Sequence, residues 1–309
     1  MNPRSPEHAA CVARDVLGEP IASADRFTTG AGNWVYDVRA QSGRQVVVRF
    51  MRDREEFAAG IHWNQTLRPL GVPLPKMLAF DNEGWFVLER FAGTDLGQVC
   101  AALTTPQKLS ILDGVMNAQS IVHRSVPPGT RFGYAINADQ TPYARWSESI
   151  AAGLERSRQR IVDIGAVDPH HVTRVQRLLP AFENHFAAVR PIPFMDDTTT
   201  RNVIVDGGVL QGIVDVDSLC WGDPLLVPAL TRMALLSMRC DTIYTDAWLD
   251  RLEATPEQGR VFDFYTATFA ACFLSEQGQQ FNRDSPPPID PAEVEKLVSI
   301  LDALLQRIA

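Results

Sequence analysis

The sequence predicts an α+β protein, with a small antiparallel sheet toward the N terminus and a mainly helical remainder. Three observations predict it. Strand-like apolar runs separated by glycine-bearing turns concentrate between residues 21 and 89. Apolar residues recur at helical spacing over most of the chain beyond residue 105. A single strand hairpin, at residues 202–214, interrupts those helices. Period-two alternation marks a half-buried strand and a 3.6-residue period marks an amphipathic helix, so the change of period separates the two parts.

Each element has a local reason. Residues 6–17 carry apolar side chains at helical spacing. From Ile21 to Phe50 the pattern becomes strand-like. Phe27-Thr-Thr-Gly-Ala-Gly-Asn-Trp-Val-Tyr36 puts flexible residues between the first two strands, and Ser42-Gly43 turns the second into the apolar third, Val46-Val-Val-Arg-Phe50. Residues 54–67 predict a helix ending before Pro69, since proline cannot supply the N–H a helix needs, and the extended Val72-Pro-Leu-Pro75 follows. Strands at 76–80 and 85–89 complete the sheet, and Phe91-Ala-Gly-Thr-Asp-Leu96 reads as a crossing into the second part. Helices are predicted over 106–123, 144–164, 168–188, 224–238, 244–253, 258–279 and 291–308. In the hairpin, Asn202-Val-Ile-Val-Asp206 and Val209–Val214 flank the turn Gly207-Gly208.

Composition narrows the classes of function. The chain has 309 residues, 45% hydrophobic and 21% charged, enough for two packed units. Lys and Arg number 29 against 37 Asp and Glu, a net charge of −8, so the attraction that drives nonspecific nucleic-acid binding is missing. That acidity suits a cationic or neutral substrate, and equally a soluble surface. The cysteines Cys11, Cys100, Cys220, Cys240 and Cys272 form no CxxC pair and no zinc-like cluster, and read as free thiols. No N-terminal stretch joins a basic head to an apolar run, and the apolar segment near Leu225–Leu236 is broken by Pro228, Thr231 and Arg232, so a cytoplasmic protein without membrane contact is expected. Neither a GxSxG elbow nor a dinucleotide fingerprint is present, because Gly30 and Gly32 precede a strand rather than open a helix.

The chemistry concentrates in residues 193–224. Asp197 is followed five residues later by Asn202, then by the hairpin, then by Asp215 at the far strand's end and by Gly222-Asp223-Pro224. A hairpin brings the ends of its strands together, so Asn202 and Asp215 can face one point with Asp197 on the loop just ahead. Two oxygen ligands and a base in one place are what phosphoryl transfer requires. Taken singly, Asp197 could also be a solvated loop carboxylate and Asp215 a turn-forming strand end.

From about Phe27 to Pro224 these motifs resemble the aminoglycoside phosphotransferase family, a branch of the protein-kinase-like enzymes whose pattern runs HGDxxxxN, an apolar strand, a V-I-D-W-E-like strand end and GDP. The resemblance implies a two-lobed fold, with an N-terminal nucleotide-binding lobe and hinge over residues 1–92 and a helical lobe carrying the catalytic hairpin and acceptor site over 93–309. It implies Asp197 as catalytic base, Asn202 and Asp215 as Mg2+ ligands, and Asp223 as a structural carboxylate. The family's usual histidine two residues ahead of the base is Met195 here. In the first lobe, Gly30 and Gly32 would sit in a phosphate-covering loop, although a plain hairpin turn explains them too. Arg49 stands where most kinases carry a phosphate-pairing lysine, with Glu56 bracing it from the next helix. The backbone at Glu89 and Phe91 would meet the base of ATP or GTP beside Leu88. The reaction implied is phosphoryl transfer to a small-molecule hydroxyl. The other reading is a nucleotide-binding protein with little catalysis, suggested by Met195 and Arg49. Asp217, Asp241, Asp246, Asp263 and Glu276 are candidates for an acidic acceptor wall, or for solvated faces.

Overall fold

A computed structural model describes residues 4–27, 32–82, 84–281, 283 and 285–308. The chain opens with helix α1 (Pro6–Leu17), capped by Ser5, whose hydroxyl accepts from His8 N–H, and ended by Gly18 at φ 71°. Strands β1 (Ile21–Arg26), β2 (Trp34–Ala40) and β3 (Gln45–Phe50) follow, then helix α2 (Arg54–Leu67), β4 (Met77–Phe80) and β5 (Trp85–Glu89). They form one antiparallel sheet in the order β1-β2-β3-β5-β4. Ala9, Val12 and Ala13 of α1 pack on the sheet face formed by Tyr36, Val38, Val46, Val48 and Val87. Because strand side chains alternate, Val46 and Val48 go into this core while Arg49 faces the other way.

The second part holds β6 (Thr94–Asp95), α3 (Leu96–Val99), α4 (Thr105–Ser125), β7 (Gly133–Ala135), α5 (Trp146–Ile164), α6 (His170–Gln176), α7 (Glu183–Ala188), β8 (Ile192–Phe194), β9 (Val203–Asp206), β10 (Val209–Ile213), β11 (Leu219–Gly222), α8 (Leu226–Ser237), α9 (Ile243–Arg251), α10 (Pro256–Ser275) and α11 (Pro291–Ile308). Helix α10 runs through its centre, with Phe262, Phe264, Tyr265, Ala267, Ala270 and Leu274 buried. No helix among the described residues is long and apolar enough to cross a membrane.

Two expectations change. The hairpin β9–β10 is not the only strand structure here: β6 pairs with β9, and β7, β11 and β8 form a separate three-stranded sheet. The expected helix over 168–188 divides into α6, a short 3-10 turn at Leu179–Phe182 and α7. Pro180 cannot donate into a continuous helix, which accounts for the break.

The hairpin itself forms as its turn residues dictate, with Gly207 and Gly208 at φ 57° and 83°. It is joined to the first sheet by the 72–75 segment: Ile213 N–H donates to Pro73 O at 2.8 Å. Phe91 packs so closely on Gly212 that a Cβ there would overlap its ring. Glycine is therefore required for β10 to meet the chain leaving β5.

Candidate active site

The loop between β8 and β9 is held by a set of short-range and side-chain hydrogen bonds. Gln119 of α4 accepts from Met195 N–H (3.0 Å) and donates to Met195 O (2.7 Å) and Thr198 Oγ1 (3.0 Å). Met195 is buried, 1% exposed. Its side chain thus fills the space behind the loop, while the polar support comes from Gln119, reaching across 76 positions of sequence. No motif around Asp197 signals this residue.

Asp197 lies on that loop and is exposed. Thr199 Oγ1 donates to its Oδ1 at 2.7 Å. The protein crowding around it raises its pKa, against the hydrogen bond from Thr199; Asp215 adds to the rise. A base with an elevated pKa takes a proton more readily. Asn202 Nδ2 donates to the backbone oxygen of Asp197 at 2.9 Å, and Val214 N–H donates to Asn202 O at 2.9 Å. These two bonds lock loop and hairpin together and bring Asn202 beside the residue that precedes Asp215. Asp215 takes φ 65°, a conformation costly for a residue with a side chain, which fits a position constrained by function. The three residues expected to work together are therefore gathered at one point. Asn202 keeps its amide oxygen, and Asp215 a carboxylate; both are hard oxygen donors suited to magnesium. Among the described residues no group of three or more His, Cys, Asp or Glu side chains forms a metal cage.

Arg49 is buried, 8% exposed, and crosses from the first sheet to the hairpin. Its guanidinium holds Asp217 with both nitrogens, Nη1 to Oδ1 at 2.9 Å, and also contacts Asp215. Burial works against the cation, but the two carboxylates outweigh it and hold its pKa above its ordinary value. Burial likewise pushes Asp217 upward while Arg49 draws it down; with two guanidinium donors on its oxygens we read the pair as ionised. Arg49 is therefore braced by Asp217 rather than by Glu56. Glu56 is exposed on α2 and forms no ion pair among the described residues. The reason is steric: a Cβ at Gly60, one turn beyond Glu56, would lie 3.0 Å from Asp217 Oδ1, so the absence of a side chain lets Asp217 approach α2 and take the guanidinium. A cavity of about 30 Å³, room for a single water, remains among Arg49, Leu88, Ile213, Asp215 and Asp217. A larger cavity, about 500 Å³, lies against α2 and β4 and contains none of these residues.

Gly30 falls outside the described residues. Gly32 is exposed with open space around it, so nothing steric demands glycine there. At the crossing, Glu89 N–H donates to Lys76 O at 2.8 Å, and Phe91 O accepts from the Arg90 side chain. Phe91 N–H makes no backbone hydrogen bond among the described residues.

Behind the site, Asp223 is buried and fully engaged. Its Oδ2 contacts His185 Nε2 at 2.6 Å and accepts from Tyr265 OH at 2.9 Å, and its Oδ1 accepts from Leu225 N–H at 3.0 Å. Trp146 Nε1 donates to Tyr265 OH at 2.7 Å. This network fastens the start of α8, as expected of a structural carboxylate; His185 was not legible as part of it. The expected acidic wall does not form as one surface. Asp241 pairs with Lys108, Asp246 with Arg232, Asp263 with Arg307 and Asp217 with Arg49.

The sequence matches the model of the phosphotransferase enzyme family over residues 23–262. No curated protein matches the chain in sequence. Among solved structures, the apo form of a thermostable mutant of aminoglycoside phosphotransferase APH(4)-Ia superposes with a TM-score of 0.70 at 15% identity, covering 97% of this chain and 99% of its own. A putative fructosamine-3-kinase from Thermobifida fusca YX-ER1 gives 0.63 at 16% identity, covering 98% and 100%. The streptomycin–ATP–APH(2'')-IIa ternary complex gives 0.61 at 12% identity, covering 99% and 97%. The α+β fold is thus that of the kinase-like phosphotransferases, and this chain belongs to the phosphotransferase enzyme family.

Proposed function

We propose that the protein is a small-molecule kinase that transfers the γ-phosphoryl group of ATP or GTP to a hydroxyl, with Asp197 as the base. The observation that carries this reading is the fastening of the Asp197 loop to the hairpin through Asn202, which gathers Asp197, Asn202 and Asp215 at one point. The similar ternary complex with ATP and streptomycin supports a nucleotide donor and a small-molecule acceptor. On this reading residues 1–92 bind the nucleotide, with Phe91 N–H facing its base, and residues 93–309 carry the base and the acceptor. Asn202 and Asp215 would hold magnesium, which when bound neutralises phosphate charge. Asp197 orients the acceptor hydroxyl and takes its proton as the oxygen attacks phosphorus. Arg49 pairs with phosphate once the nucleotide draws it from Asp215, with Asp217 still bracing the guanidinium.

The expected test result is a loss of turnover of about a hundredfold or more in Asp197→Asn, with nucleotide affinity by calorimetry nearly unchanged. Wild-type turnover in that variant would remove Asp197 from the chemistry. A second reading, a nucleotide-binding protein of low activity, is favoured by one observation only: Arg49 is committed to Asp215 and Asp217. Nucleotide binding without transfer to any hydroxyl compound would select it.

A further inference from the structure

Resting on the kinase reading above, we propose that Arg90 decides which purine the nucleotide cleft accepts, admitting adenine and rejecting guanine because its guanidinium occupies the Phe91 carbonyl. Strand register shows where the base would lie. Tyr36 and Val38 enter the core with α1, so Asp37 between them faces the cleft. Asp37 lies opposite Val47, and Val47 opposite Leu88, in one row across that face of the sheet. Leu88 and Ile213 border the same small cavity as Arg49. Leu88 is two residues ahead of Arg90, and Ile213 follows Gly212, on which Phe91 packs. A flat base reaching from the crossing toward Arg49 would therefore rest on apolar side chains, with its edge against the backbone of Glu89 and Phe91.

Arg90 stands at that edge, and it is fixed there. Its Nε donates to Asp37 Oδ2 at 3.2 Å, and its Nη1 donates to Phe91 O and, at 3.5 Å, to Gly93 O. Its guanidinium carbon lies 5.9 Å from the centre of the Phe27 ring, within reach of a cation–π contact. The side chains of Arg90 and Asp37 are only 22% and 25% exposed. In the register of β1 and β2, Asp25 lies opposite Asp37, so two carboxylates share this face and favour a cation on it. Asp37 Oδ1 is buried without a hydrogen-bond partner, which leaves Arg90 as the hydrogen-bond donor to that carboxylate among the described residues.

The two purines present opposite edges to this backbone. Adenine offers a donor, its 6-amino group, beside an acceptor, N1. Phe91 N–H, which makes no backbone hydrogen bond among the described residues, suits N1, and the Glu89 carbonyl suits the amino group. Guanine offers the acceptor O6 beside two donors, N1–H and the 2-amino group. If O6 takes Phe91 N–H, those donors need a carbonyl further along the chain, and that carbonyl is the one Arg90 holds. The oxygen has a second lone pair, but the guanidinium sets N–H groups and a permanent charge beside it. Guanine would thus bring donors to face a donor, and donors left without a partner weigh against binding. Adenine carries only C2–H at that place and needs nothing from the Phe91 carbonyl. Arg90 acts through this carbonyl as a specificity residue and touches no reacting atom.

The test is calorimetry of the full chain, with Mg2+, against the 5′-diphosphates of adenosine, guanosine, inosine and 2,6-diaminopurine riboside. ADP should bind more tightly than GDP by about tenfold or more. The diaminopurine compound keeps the adenine edge and adds only the 2-amino group, so it should bind more weakly than ADP by about threefold or more. IDP, which lacks that group, should bind more tightly than GDP. In Arg90→Met the ratio of ADP to GDP affinity should fall by about tenfold, chiefly through tighter GDP binding, whereas loss of a residue that only supports the fold would weaken both alike. Asp37→Asn, which removes the charge holding Arg90, should lower the ratio by less, and Arg90→Lys should keep part of the selectivity. Equal binding of ADP and GDP, a preference for GDP, a diaminopurine compound bound as tightly as ADP, or a ratio unchanged in folded Arg90→Met overturns this inference alone. Should that variant not fold, the four nucleotides on the unaltered protein decide. Binding of none of the four overturns the kinase reading and this inference with it.

Discussion

The Asp197 loop and the Arg49 cluster lie on either side of Asp215, yet they are held together in different ways. The loop rests on hydrogen bonds made by uncharged partners, Gln119, Thr199, Asn202 and Val214. Those bonds are made within the protein, and they fix the position of the loop. The Arg49 cluster consists of one buried cation and two carboxylates that come from 166 and 168 positions away in sequence. Its members are the same groups that a nucleotide and a metal would claim. On the proposed reading, the difference teaches that this site is built half preorganised and half exchangeable: the proposed base is held in place, whereas the proposed phosphate side would trade ion pairs on binding.

The sharpest way to test that contrast is at the shared residue. Asp215→Ala removes one partner of Arg49 and, on the proposed reading, a metal ligand, so magnesium-dependent nucleotide affinity should fall by about 10- to 100-fold, as for lost metal contacts elsewhere. Affinity that ignores both this change and the withdrawal of magnesium would break the exchange picture. Arg49→Met comes next, with an expected loss of about 1–3 kcal/mol in ATP binding or turnover, the scale of a charge-assisted hydrogen bond; Arg49→Lys should lose less. Kinetics of Arg49→Met equal to wild type would confine Arg49 to a structural part. On the preorganised side, Gln119→Leu strands the Met195 N–H and carbonyl. It should destabilise the fold by about 1–2 kcal/mol, read as a lower Tm, and lower kcat with little change in KM for nucleotide. An unaltered kcat would mean that the loop does not depend on its brace.

A pH dependence of stability is expected as well. Burial, helped by Asp197, raises the pKa of Asp196 to about 7. A carboxyl whose folded pKa lies above its unfolded value binds more protons when folded, so its contribution to stability is complete below the unfolded value and is lost as pH rises toward about 7. Tm followed from pH 4 to 8 should carry this downward contribution, and Asp196→Asn should flatten it. A slope unchanged by the substitution would assign the effect to other groups.

How much was legible beforehand follows the same division. Spacing within residues 193–224 was enough to predict the hairpin, its Gly207-Gly208 turn and the meeting of Asp197, Asn202 and Asp215, because hairpin pairing is local and turn glycines declare it. The α+β class was legible for the same reason, since periodicity is a property of neighbouring residues. The strands β7, β8 and β11 were not, being three or four residues long and stabilised only by one another across the fold. Arg49 could be marked as a buried-strand cation from Val46 and Val48, but not its choice of Asp217 over Glu56. That choice depended on the missing side chain at Gly60, which lets a carboxylate from the hairpin approach α2. Gln119 carried no signal at all, because a glutamine on a helix is informative only once the loop it faces is known. What the sequence by itself determined was therefore whatever a few consecutive residues can encode. Which charge pairs with which was decided by packing, because a buried cation such as Arg49, Lys108 or Arg232 needs a carboxylate that the folded chain brings to it.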